Sequence, residues 1–288
     1  MNESNLDYLQ DQVKFTGFGE ELAMPLKEAI DLGAEKFALN YSREFGKDSV
    51  SVNLNFSKSK TSDMYFFNSY QVNLQKEGSQ ESTNQTFYIN KGSNISLREA
   101  YNMMEGRSVY KKLSTKDGEE YNAWVGLDFK QTDASGNFKQ KQFSDKYGFD
   151  IEKVLDKHPI KELESEGMKE ELVDSIKRGN MAAVTYIKGE VEEKRYVSAN
   201  PQFKSINFYD ERKEAIGRNK GAKHSEKQGS QQSVSTNNNE TTNTQDVLGN
   251  SEQDANKEVN RNRRSTATEE APDIPENRKR RKNRNRAV

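Results

Sequence analysis

The chain has 288 residues, no cysteine and a formal net charge of −1, from 45 Lys and Arg against 46 Asp and Glu. Without cysteine there are no disulfides, thiolate metal centres or thiol nucleophiles, and with a mean hydropathy of −1.10 no stretch reaches the apolar length of a transmembrane helix. The near-neutral total hides a division: residues 261–288 hold ten Lys and Arg against four Asp and Glu, a local +6, which leaves −7 on the other 260 residues.

The opening MNESNLDYLQDQ lacks a basic region followed by an apolar run. No signal peptide is expected, and a cytoplasmic location is. SNLDYLQDQVKF, residues 4–15, reads as a helix with Leu6, Leu9 and Val13 on one face; Ser4 and Asp7 have capping-box spacing, with Asp where Glu is usual. GFG at 17–19 lacks the third glycine of a dinucleotide-binding loop and follows a helix rather than a strand, so it carries no such meaning.

Three segments then follow one plan, in units of about 21–75, 96–145 and 168–210. Each opens with an amphipathic helix, its apolar residues three and four apart: Leu22, Leu26, Ala29 and Ile30; Leu97, Ala100, Tyr101 and Met104; Leu172, Val173 and Ile176. Each helix stops at a glycine (Gly33, Gly106, Gly179), the residue that accepts a left-handed backbone at no steric cost. A hairpin follows, turning at Gly46, Gly118 or Gly189, and its second strand runs to Phe56, Phe129 or Phe203, which lie 23, 23 and 24 residues past the helix stop. The equal intervals predict an internal repeat with the three phenylalanines in equivalent places.

Each unit adds a third strand. In MYFFNSYQVNL, residues 64–74, period-two alternation puts Met64, Phe66, Tyr70, Val72 and Leu74 on the packed face, and Tyr65 and Phe67 on the wetted one, packing under a loop or making a contact. NFKQKQF (137–143) and KSINFYD (204–210) are the equivalent strands, and TFYIN (86–90) adds one more to the first unit. In NAWVGLDF the parity separates Trp124 from Leu127, so burial of both requires a strand covered on two sides. FDIEKVLDK, 149–157, is a further helix that should end near Lys157, before His158-Pro159. The expected fold is α+β: residues 1–210 as a body of three helix–hairpin–strand units with extra helices, and 211–288 as a long tail with a basic end. All 27 aromatic residues precede position 210. A tail without them cannot bury enough apolar surface to offset the entropy of ordering, so it is expected to be disordered.

Chemistry-bearing motifs are few. The two histidines, His158 and His224, make no HxxxH or HExxH spacing, and no phosphate loop, nucleophile elbow or calcium loop is present. No catalytic, cofactor-binding or metal-binding residue is assigned, and no cofactor is expected. The basic end does carry a signal. Arg261, Arg263 and Arg264, then Arg278, Lys279, Arg280, Arg281, Lys282, Arg284 and Arg286, supply forked and point-charge donors for phosphate. They are the candidate contacts to DNA or RNA.

The stretches SDMYFFNSYQVNL, TFYINKGSNISLREAYNMMEGRSV, YNAWVGLDF, NFKQKQFSDKYGFDIEKVL and ANPQFKSINFYD resemble uncharacterised proteins of Bacteroidota carried on conjugative transposons and related mobile elements. The last third of the body is similar to a domain of unknown function that recurs in tandem in that phylum. The resemblance spans roughly residues 1–210. It implies a mobile-element setting in a bacterial cytoplasm and assigns no catalytic residue. Two functions are carried forward: a non-enzymatic accessory protein, with an unknown protein partner on the body and nonspecific nucleic acid on the tail but no membrane, or a nucleic-acid-processing enzyme with a site of scattered carboxylates.

Overall fold

The computed structural model describes residues 2–89 and 94–217. The expected tail, with its candidate nucleic-acid contacts and His224, lies outside the described residues apart from its first seven positions. The helices are α1 (Glu3–Val13), α2 (Ala23–Asp31), α3 (Leu97–Met104), α4 (Ile151–Leu155) and α5 (Glu166–Lys177). The strands are β1 (Lys36–Phe45), β2 (Asp48–Lys58), β3 (Tyr65–Gln75), β4 (Ser82–Tyr88), β5 (Val109–Ser114), β6 (Glu120–Thr132), β7 (Phe138–Ser144), β8 (Ala182–Lys188), β9 (Val191–Asn200), β10 (Ser205–Tyr209) and β11 (Ala215–Ile216). They form three antiparallel sheets, β1-β2-β3-β4, β5-β6-β7 and β8-β9-β10-β11. The fold is α+β, as expected. Strand β11 falls in the segment read as tail, pairing Ala215 with Tyr209.

The first helix is capped differently from the expectation. Asn2, not Ser4, is the N-cap, and its side chain accepts the Asn5 N–H at 3.0 Å. The capping box sits instead at α3, where the Ser96 side chain accepts from Glu99 N–H and the Glu99 carboxylate accepts the Ser96 N–H at 2.8 Å. Beyond Val13 the chain widens into a π-helical turn, Lys14–Phe18. The inner faces of α1 and α2 bury Leu6, Leu9, Val13, Leu26 and Ile30 over the first sheet.

Gly33, Gly106 and Gly179 all have left-handed backbones just past their helices, and the hairpins follow as expected. The phenylalanines do not match. Phe56 is 2% exposed inside β2, Phe129 45% exposed in β6, and Phe203 72% exposed in a 3-10 turn beyond β9. Equal spacing therefore does not mark equivalent core positions. The order helix, glycine, hairpin recurs, while the packing of each hairpin end is set by its own surroundings.

The parity expected for β3 is also corrected. Asn55 pairs with Ser69 but Phe56 pairs with Phe67, so Asn68 is an extra residue. Such a bulge shifts the pleat by one position and exchanges the faces before it. Tyr65 and Phe67 consequently point inward, at 3% and 4% exposure, while Met64 and Phe66 are exposed. Tyr70, Val72 and Leu74, after the bulge, are buried as expected. Phe67 stacks on Phe56 at 4.9 Å between centroids, and Tyr70 stacks on Phe87 at 5.4 Å.

Two hydrophobic cores result. The first gathers α1, α2, α3 and the first sheet with Val109, Val125 and Leu127; the second gathers α4, α5 and the third sheet with Trp124. Strand β6 contributes to both, so it is covered on two sides and Trp124 and Leu127 are both buried. Helix α4 ends at Leu155, two residues before the expected stop.

Candidate functional site

A cleft of about 1160 Å³ opens where α3, α5 and the β1–β2 turn approach one another. Its floor begins at Gly106, which ends α3 and delivers Arg107 into the interior at 8% exposure. Arg107 Nε donates to the Gly179 carbonyl at 2.9 Å and Nη2 donates to Asn102 Oδ1 at 2.7 Å. Asn102 in turn donates from Nδ2 to the Arg178 carbonyl at 2.9 Å and to Asn180 Oδ1 at 3.0 Å. The carbonyls at the end of α5, which have no partners within the helix, are thus satisfied by side chains of the neighbouring segment. A guanidinium at a helix C-terminus also meets the negative end of the helix dipole. Burial lowers the Arg107 pKa below its ordinary value, and the Glu105 carboxylate, 3.9 Å away, opposes that shift.

The backbone approaches closely here. Gly179 has φ +78°, and a Cβ would stand 2.7 Å from Val109 Cγ1 and 3.2 Å from the Ser108 carbonyl. Only glycine fits without displacement.

One wall is aromatic and charged. Tyr101 stacks on Phe45 at 4.4 Å with 10° between planes, and its hydroxyl donates to Asp48 Oδ2 at 2.8 Å. Burial, then the bond to Asp48, raises the Tyr101 pKa. Arg98 and Arg43 lie over the Phe45 ring at 5.2 Å and 5.6 Å. Lys47 pairs with Glu77 at 2.8 Å, and Lys76 Nζ stands 2.9 Å from Glu105 Oε1, at ion-pair distance but out of hydrogen-bond alignment. On the opposite wall both carboxylate oxygens of Glu162 accept the Thr185 N–H, at 2.9 Å and 3.0 Å. Glu171, exposed Met168, Arg212 and Lys213 complete that side. The lining thus combines Lys47, Arg98, Arg107, Arg212 and Lys213 with Asp48, Glu77, Glu105, Glu162 and Glu171.

Such a lining is neutral in sum and charged in detail. Four of its five carboxylates already accept from, or pair with, a neighbouring group. No three acidic or histidine side chains among the described residues converge to hold a metal ion. His158 stands apart from the cleft, edge-on to Phe208 at 5.0 Å, with its pKa lowered mainly by burial. No helix among the described residues is long and apolar enough to cross a membrane.

The sequence did not single out the cleft residues. They come from positions 45–48, 77, 98–107, 162–183 and 212–213, which only packing brings together. One sign was present: Asn102 shares the buried face of α3 with Ala100, Met103 and Met104, and a polar residue there needs partners. Comparison with protein-family models, with curated proteins and with solved structures finds no match.

Proposed function

We propose that the chain is a non-enzymatic binding protein, an accessory protein of a bacterial mobile genetic element, whose body engages a protein partner while its basic end contacts nucleic acid without sequence preference. One observation carries the reading: the ten Lys and Arg of 261–288 give +6, while residues 1–217 carry −6. A net negative body repels a polyanion, and the basic segment attracts it by releasing counterions. The cleft supports the protein-binding part. Its floor is held by the Arg107–Asn102–Gly179 bonds, and its rim offers charges of both signs.

The test is a titration of the full chain and of a 1–260 chain against duplex DNA at several salt concentrations. If about five phosphates are neutralised, log K falls with log salt at a slope near −4.5, and the 1–260 chain loses that binding. Equal affinity for both chains removes 261–288 from the function.

The second reading, a nucleic-acid-processing enzyme with a carboxylate site, is favoured by the five carboxylates in one cleft. Glu171 is the acidic lining residue with no hydrogen bond or ion pair among the described residues. Cleavage of DNA or RNA by the full chain with a divalent cation, abolished by Glu171→Gln, would establish that reading instead.

A further inference from the structure

The negative charge of the described body is not spread over it. Residues 1–35 hold eight Asp and Glu against two Lys, a net −6, and residues 36–217 balance to zero. The whole excess therefore sits on α1, α2 and their connections. All eight acids are exposed: Glu3, Asp7, Asp11, Glu20, Glu21, Glu28, Asp31 and Glu35. Only two have a cation, Glu20 with Lys14 at 2.6 Å and Asp31 with Lys27 at 2.7 Å; the other six form no ion pair among the described residues.

The same surface is apolar in places. Tyr8 is 61% exposed, Phe15 77%, Met24 65% and Leu32 85%. Along α1 and the π-helical turn that continues it, Tyr8, Asp11 and Phe15 stand three and then four residues apart, a stripe directed away from buried Leu6, Leu9 and Val13. Along α2 and its C-cap, Met24, Glu28 and Leu32 are four apart, opposite buried Leu26 and Ile30. A groove of about 190 Å³ runs between the two helices, lined by Asp11, Val13, Glu20, Leu22 and Leu26 among others. Single exposed apolar residues are ordinary. Here four large ones alternate with unpaired carboxylates on one helical pair.

We infer that the outer face of α1 and α2 is a docking surface for a basic polypeptide segment of a partner protein, one that interleaves Lys or Arg with apolar side chains. This rests on the reading of the body as protein-binding and names the surface and the partner's chemistry. Charge complementarity sets the occupant: cations offset the six unpaired carboxylates, and apolar side chains cover Tyr8, Phe15 and Met24. Nucleic acid is excluded from this face by its sign.

The experiment titrates the full chain against a labelled Lys/Leu amphipathic peptide and a Glu/Leu peptide of equal length, at low and physiological salt. The Lys/Leu peptide binds and weakens with salt, and the Glu/Leu peptide does not bind. Substituting Asp7→Asn, Asp11→Asn and Glu28→Gln together weakens binding about tenfold, the sum of three exposed charge contacts; Phe15→Ser weakens it separately. Both changes are at exposed positions, and unchanged far-ultraviolet circular dichroism checks that the helices remain. Unchanged affinity in these variants, or equal binding of both peptides, overturns the proposal. Self-association that the same substitutions abolish also overturns it, by making a second copy the occupant. If a purified host partner binds the substituted chain as well as the original, this surface falls while the protein-binding reading stands.

Discussion

The side-chain amide of Gln85 serves Phe138 as a neighbouring strand would: Oε1 accepts the Phe138 N–H at 2.8 Å and Nε2 donates to its carbonyl at 3.3 Å. Next to it, the Thr86 N–H donates to Asn137 Oδ1 at 2.8 Å. Two side chains thereby join β4 of the first sheet to β7 of the second where no backbone ladder exists. Gln85→Leu keeps the volume but strands both polar groups of Phe138. A loss of about 1–3 kcal/mol in urea unfolding is expected. A loss below about 0.5 kcal/mol, the scale of a neutral surface change, would show that the clip contributes nothing.

Gly179 offers a sharper contrast. Gly179→Ala has to hold a left-handed backbone and displace Val109, so a loss of at least about 2 kcal/mol is expected, more than the roughly 1–2 kcal/mol of the backbone alone. Gly189, with φ +65° and open space around it, is the control and should show only the backbone cost. Equal losses at the two positions would mean that the contact with Val109 relaxes freely.

The bulge at Asn68 predicts opposite outcomes for adjacent phenylalanines. Phe67→Ala should cost about 3–5 kcal/mol, as for a buried ring. Phe66→Ala, at 48% exposure, should fall within about 0.5 kcal/mol of the original chain. Thermal unfolding of the two variants decides it, and a reversed order would restore the uninterrupted alternation.

That pair also marks how far the sequence could be read. Helix stops and hairpin turns were legible because a glycine acts locally through its own backbone, as at Gly33 and Gly106. The double-sided burial of β6 was legible from the parity of Trp124 and Leu127. The exchange of faces in β3 was not, because a bulge is fixed by which residue of β2 lies opposite, and Asn68 looks like any polar position in alternation. The cleft was hidden for a related reason. Asp48 and Tyr101, or Arg107 and Gly179, have no sequence relationship; their bonds exist only after segments distant in the chain have packed. The candidate DNA or RNA contacts, Arg261 to Arg286, lie outside the described residues.

Tyr110 makes a prediction about pH. Burial, then donation of its hydroxyl to Asp145 at 2.8 Å, pushes its pKa up to about 12. An unfolded tyrosine titrates near 10. Between these values the folded chain holds the extra proton, so the stability that Tyr110 contributes is full below pH about 10 and is lost as pH rises toward 12. Phenolate absorbance, taken as the difference from Tyr110→Phe, should place the native titration well above the free value. Asp145→Asn should move it down without reaching the free value, since burial remains. A titration unmoved by Asp145→Asn would assign the whole shift to burial.

In each of the three sheets every strand pairs only with strands next to it in the chain. The rest of the sheet is then assembled over short loops, whose closure costs little entropy. During synthesis, every strand after the first of its sheet finds a partner already emerged from the ribosome, and none has to wait for a distant one. The first core needs little beyond Leu127 to be complete, so it can close while the chain that builds the second is still being made. The topology thus lets assembly follow the order of translation, each growing edge being covered as the next strand emerges and only the outermost strands of each sheet keeping a free edge.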